Sequence, residues 1–137
     1  MEKCIMLESR YMELEQEVIR LLTDLGMAPG TNQSHISLKE AILMAVQSPD
    51  SWKEFCLECI AQRENVTRET IRRMIHRAAW DNWNVKSKGV LECHFNRPIQ
   101  IKFEYSKPNH TELITLISGE LRKNISNESP EDINGEQ

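Results

Sequence analysis

The chain has 137 residues, of which 39% are hydrophobic and 28% charged, and a formal net charge of −4. That mix supports one domain with a modest core and excludes wholesale disorder. Taken whole, the acidic balance argues against a nucleic-acid binder, whose domain is usually basic.

The charge is unevenly placed. Residues 1–24 hold three bases against six acids, and residues 124–137 hold four acids and no base. Residues 25–123 are left with a net +3. No apolar run approaches the roughly 18–20 residues of a membrane span, so no membrane partner is expected. The charge-studded N-terminus does not read as a secretory signal, and a cytoplasmic location is expected. The four cysteines, Cys4, Cys56, Cys59 and Cys93, then read as reduced thiols. Sparse glycine and proline, five of each, favour helices over a turn-rich β fold.

The first helix is expected over residues 1–25. Cys4, Leu7, Tyr11, Leu14, Val18, Leu21 and Leu25 alternate at spacings of three and four, a heptad seam. Gly26 and Pro29 stop it. Two uses of the seam stand open: an amphipathic helix lying on the domain core, or a self-associating coiled coil through Leu7, Tyr11, Leu14, Val18 and Leu21.

A second helix is marked by Ile36, Leu38, Ala41, Ile42, Ala45 and Val46, opened by a capping box of Ser37 and Glu40. A third, from about Trp52 to Arg63, has Ser51 and Glu54 as its box and Trp52, Phe55, Cys56, Cys59 and Ile60 as its apolar face. After a short break Thr67 caps a fourth helix reaching about Trp83. Two helices joined by a tight turn, the second dense in arginine, form the helix-turn-helix pattern.

At 100° per residue, Ile71, Met74, Ile75, Ala78 and Asn82 of the fourth helix share one side. Glu69, Arg72, Arg73, His76 and Arg77 share the other. Arginine suits DNA because its planar fork bonds guanine bidentately and also grips phosphate. The first half of such a helix enters the groove, which makes Arg68, Glu69, Thr70, Arg72, Arg73 and His76 candidate readers. Arg77 joins the DNA-binding set, and Lys86 and Lys88, just past the helix, extend it as phosphate contacts. A solvated basic face is the plain alternative. Trp80 falls among the polar residues, where it could stack on arginine, touch backbone sugar or meet another protein.

Beyond Asn84 the pattern weakens. Ile99, Ile101, Phe103 and Tyr105 alternate, which predicts a strand within residues 85–106. Asn109 and Glu112 cap a last helix that buries Leu113, Ile114, Leu116, Ile117 and Leu121. The tail from Asn124 reads as disordered and acidic.

These motifs together resemble the C-terminal effector domain of the stage-zero sporulation protein A family, the master response regulators of endospore formation. The resemblance covers residues 14–123. Residues 18–26 resemble that domain's first helix with its Leu-Gly ending. His35-Ile-Ser-Leu-Lys-Glu-Ala-Ile42 is similar to the family's Tyr-Leu-Arg-Glu-Ala-Ile stretch. Asn65-Val-Thr-Arg-Glu-Thr-Ile-Arg-Arg-Met-Ile75 resembles the start of its recognition helix. Lys107-Pro-Asn-His-Thr-Glu-Leu113 resembles the segment that opens its last helix.

The resemblance implies an all-α helix-turn-helix domain of about five or six helices, here with an N-terminal heptad helix, that binds double-stranded DNA as a paired unit and regulates transcription. The predicted strand would then be short or absent. The family's DNA-reading positions fall on Thr70, Arg72, Arg73 and His76, where the family carries Arg, Glu, Arg and Arg. Only Arg73 agrees, so a different target sequence is expected. Family members carry an N-terminal phosphoreceiver domain. Residues 1–13 leave no room for one, and the heptad helix is expected to supply constitutive homodimer pairing in its place. RNA polymerase or another regulator would be a further partner.

The rival reading, from a different class, is an interaction module that pairs with another regulator and binds DNA weakly. Cys56-Leu-Glu-Cys59 has too few companion ligands for structural zinc. No metal, cofactor or catalytic constellation is expected, and the chain does not read as an enzyme.

Overall fold

The computed structural model describes the backbone of residues 2–136 and the side chains of residues 10–125. Among the described residues there are six helices and no strand. The fold is all-α, as the sequence predicts. No helix among them is long and apolar enough to cross a membrane.

Helix α1 spans Glu2–Asp24. It ends as the glycine predicts. Gly26 sits at φ 83, the Gly26 amide bonds Thr23 O at 3.1 Å, and the Met27 amide bonds Leu22 O at 2.7 Å. That pairing is a Schellman stop, sealed by burial of both Met27 and Leu22.

Helix α2, Gln33–Gln47, starts earlier than its predicted capping box. Asn32 is the cap, its Oδ1 accepting from the Ser34 and His35 amides at 2.9 and 3.2 Å. Ser37 lies inside the helix, fully buried, where its Oγ accepts from Gln33 Nε2 at 3.1 Å. The Ser-x-x-Glu spacing is therefore incidental, because an asparagine one turn upstream already satisfies the first amides.

Helix α3, Trp52–Glu64, follows Ser51, whose side chain makes no capping bond. Three residues, Asn65, Val66 and Thr67, separate it from α4, Arg68–Asn82. Asn65 takes the left-handed conformation at φ 59, and the Val66 amide bonds Ala61 O at 3.0 Å. Thr67 Oγ1 then accepts the Thr70 amide at 3.1 Å. One helix is stopped by a left-handed asparagine and the next started by a threonine cap within three residues, which makes the connection tight.

Helix α5, Ser87–Phe95, is not anticipated by the sequence pattern. It has only 9 residues, contains Gly89, and begins without a side-chain cap. Those three features remove the usual signals. Residues 99–108 form no strand. The alternation there is real, but it marks one side of an irregular arm: Ile99 is buried, Ile101 and Phe103 pack on the core, and Tyr105 is exposed. Carboxylates take the place of a neighbouring strand, Glu92 accepting the Ile99 amide and Glu112 the Glu104 amide, both at 2.9 Å.

Helix α6 spans His110–Glu136. Its capping box is reciprocal: Asn109 Oδ1 accepts the Glu112 amide at 2.8 Å and Glu112 Oε1 accepts the Asn109 amide at 2.9 Å. The helix does not stop at Asn124, where the predicted disordered tail begins. No glycine or proline intervenes between Lys123 and Pro130 to end it. Asn124 also accepts from Arg97 Nη1 at 2.7 Å, so it belongs to the folded body. The tail's acidic side chains lie outside the described residues.

The helices α2, α4 and α6 pack mutually, with α3 against α2 and α4, and α1 against α2 and α5. Leu38, Ile42, Ile71, Ile75, Leu113, Ile114 and Ile117 are fully buried where the central three meet. Burial of α4's apolar stripe turns its arginines outward.

Candidate nucleic-acid interface

Helix α4 sorts its side chains much as the helical wheel predicts. Ile71, Ile75, Ala78 and Ala79 are buried, and Met74 and Asn82 are half-buried beside them. Arg68, Glu69, Arg73 and Arg77 are exposed, and Arg72 and His76 are half-buried.

The arginines are not equivalent. Arg72 Nε donates to both Glu69 carboxylate oxygens at 3.0 Å, and its Nη2 also bonds Glu69. This bonding from Arg72 holds the Glu69 carboxyl below its ordinary range and raises the Arg72 guanidinium in turn. Arg68 lies 3.5 Å from Glu58 of α3. Arg73 keeps 70% of its side chain exposed and approaches Glu69 only to 3.9 Å. Arg73 and Arg77, with Thr70, Met74 and Ser34, line a shallow depression of about 310 Å³.

Two candidates are engaged within the fold. The Thr70 hydroxyl lies 2.9 Å from the capping hydroxyl of Thr67. His76 stacks on Trp80 with centroids 5.5 Å apart and meets His110 edge-on at 6.3 Å. Trp80 in turn meets Tyr105 of the arm at 6.5 Å. It bridges α4 to the arm that follows α5. Burial, followed by the nearby His76 and Arg72, pushes the His110 imidazole pKa down.

Lys86 and Lys88 are exposed at the start of α5 and face different recesses. Lys86 borders one with Asp24, Cys93 and His94, and Lys88 borders another with Trp83 and Tyr105. They are not gathered with the α4 arginines. Ser34, at the start of α2, does adjoin Arg73 and Arg77. Periodicity within α4 carries no signal for a residue on another helix.

The heptad seam divides. Val18 and Leu21 are fully buried in this chain's own core, so they leave the proposed dimerisation set. The core needs them because α1 packs on α2 and α5 through that end. Leu14 is half-buried against the core, and Tyr11 is 39% exposed. Leu7 lies outside the described side chains. The polar flank of α1 is tied down by Glu15 to Lys39 at 2.9 Å and Glu17 to His94 at 3.1 Å.

Cys56 and Cys59 do not share an environment. Cys56 is buried, which raises its thiol to about 11, and Cys59 is exposed. Among the described residues, no three His, Cys, Asp or Glu side chains group as metal ligands.

No protein-family model matches the chain, and no curated protein matches it.

Proposed function

We propose that the chain is a sequence-specific double-stranded DNA-binding regulator of transcription, of the type resembled by the stage-zero sporulation protein A effector domain, working in the cytoplasm. The observation that carries this reading is the outward face of α4. Directly after a three-residue turn, it presents Arg68, Arg72, Arg73 and Arg77 on a helix whose other side is locked into the core.

The first half of α4 would lie in the major groove, with Arg73 as base reader and Arg72 joining it when Glu69 releases it. Arg77 would hold phosphate, with Ser34 at the start of α2 beside it. Pairing through the outer part of α1, at Leu7, Tyr11 and Leu14, would set two α4 helices on half-sites roughly 34–36 Å apart.

Random-site selection on duplex DNA followed by a salt titration tests the reading. Convergence on one sequence, with affinity falling steeply as salt rises, is the expected result. No convergence, together with capture of a regulator through α1, would favour an interaction module instead.

A further inference from the structure

Beside α4 lies a recess of about 410 Å³ that plays no part in reading DNA as proposed above. Its floor is Trp83, Ile101 and Phe103. Trp83 is only 7% exposed, and Phe103 meets it edge-on with centroids 5.2 Å apart. Two apolar residues stand on its rim in open solvent, Val85 at 98% exposure and Tyr105 at 64%. Exposed side chains of that kind over an aromatic floor are a recognised mark of a binding surface.

The recess is also positively charged. Lys88 and Lys107 line it, and no Asp or Glu does. Among the described residues neither lysine takes part in an ion pair. One wall is the start of α5, reached through Asn84, Val85 and Lys88, and no side chain caps that helix. Its positive dipole end adds to the lysines.

We infer that this recess binds a small aromatic carboxylate. The ring lies against Trp83 and Phe103 under Tyr105, and the carboxylate lies between the two ammonium groups. The volume suits one ring system with a short acidic arm. Flat apolar contact and unpaired lysines together select an anion with an aromatic body over a neutral or cationic ligand. The site adjoins the arginine face, because Tyr105 touches Trp80 and Trp80 stacks on His76.

The test is a two-dimensional NMR titration of the full chain with 2-naphthoate, its neutral isostere 2-naphthamide, and adenosine monophosphate. Saturable shifts from naphthoate at the Trp83 indole and at Val85, Lys88 and Tyr105 are expected, with naphthamide about tenfold weaker for want of the charge-assisted bonds. The double variant Lys88→Met/Lys107→Met should weaken naphthoate by about the same factor and leave naphthamide unchanged. Lys88 is exposed and Lys107 half-buried, and an unchanged spectrum elsewhere confirms that the variant folds. Equal affinity for acid and amide, indifference to the double variant, or shifts confined to the α4 arginines would overturn the assignment. Tighter binding of the nucleotide than of naphthoate would overturn it in favour of a nucleotide site. The titration contains no DNA, so its outcome is independent of the DNA-binding reading.

Discussion

Arg72 is held by Glu69 one helical turn away, its Nε shared between both carboxylate oxygens at 3.0 Å. The pair places a negative charge in the middle of the arginine face. Glu69→Ala should raise affinity for non-specific duplex DNA several-fold at about 50 mM salt, with the gain shrinking at about 200 mM as screening grows. Fluorescence anisotropy at the two salt concentrations reads this directly. Unchanged affinity at low salt would mean that this face does not meet phosphate.

Arg73 is the arginine best placed to read a base, being the most exposed of those in ion pairs on α4 and the least tightly paired. Arg73→Ala should weaken binding to the selected site by about 1–3 kcal/mol, the size of a lost bidentate base contact. Non-specific binding should fall much less. An equal loss on both kinds of DNA would assign Arg73 to phosphate.

Arg97 clamps the end of α5 to α6. Its Nε donates to Glu120 Oε1 at 2.8 Å, its Nη2 to Glu120 O at 2.9 Å, and its Nη1 to Asn124 at 2.7 Å. Burial pushes the Glu120 carboxyl up, but bonds from Lys123 and Arg97 outweigh it and hold the net value below the ordinary range. A lowered folded pKa gives stability that is complete above the unfolded value and is lost as pH falls through the folded one. Arg97→Ala should cost about 1–3 kcal/mol at neutral pH, since a carboxylate only 10% exposed loses a charged donor. Urea unfolding should show that difference narrowing below about pH 4.5, where Glu120 begins to protonate in the unfolded chain.

The division of the α1 seam is open to the same kind of measurement. Leu21→Ala should cost about 2–5 kcal/mol, because it opens a cavity in the core. Tyr11→Ala should leave unfolding nearly unchanged. Sedimentation of a Leu7→Lys/Leu14→Lys variant then tests pairing. A wild type that is already monomeric at tens of micromolar would remove the homodimer.

Asn65 is the residue that turns the chain between α3 and α4, at φ 59. Asn65→Ala should destabilise by about 1 kcal/mol, because alanine lacks the local bonding that lets asparagine adopt this conformation. Asn65→Gly should be neutral or slightly stabilising. A neutral alanine in thermal melts would show that the turn carries no such strain.

Much of the fold is legible because helices announce themselves locally. Gly26 after Leu25, Thr67 before Arg68, and the Asn109–Glu112 box each act within a few residues of their own position. The signals that misled are local patterns without a local cause. Ser37 and Glu40 have capping spacing inside a helix that Asn32 had already started. Ile99, Ile101, Phe103 and Tyr105 alternate as a strand would, yet the amides of Ile99 and Glu104 find carboxylates from α5 and α6. Helix α5 is too short, and too poor in end signals, to stand out.

The candidate site divides along the same line. The residue sequence by itself determined which side of α4 is apolar, and therefore that Arg72, Arg73 and Arg77 turn away from the core, because a 3.6-residue repeat needs no knowledge of neighbours. It also settled that the acidic total masks a basic middle. Only the tertiary structure decided that Val18 and Leu21 belong to the core rather than to a pairing seam. It likewise drew His76 and Trp80 into contact with Tyr105 and His110, and brought Ser34 beside Arg73 and Arg77. Those relationships join residues far apart in the chain, and no periodicity within one helix can encode which distant side chain will arrive against it.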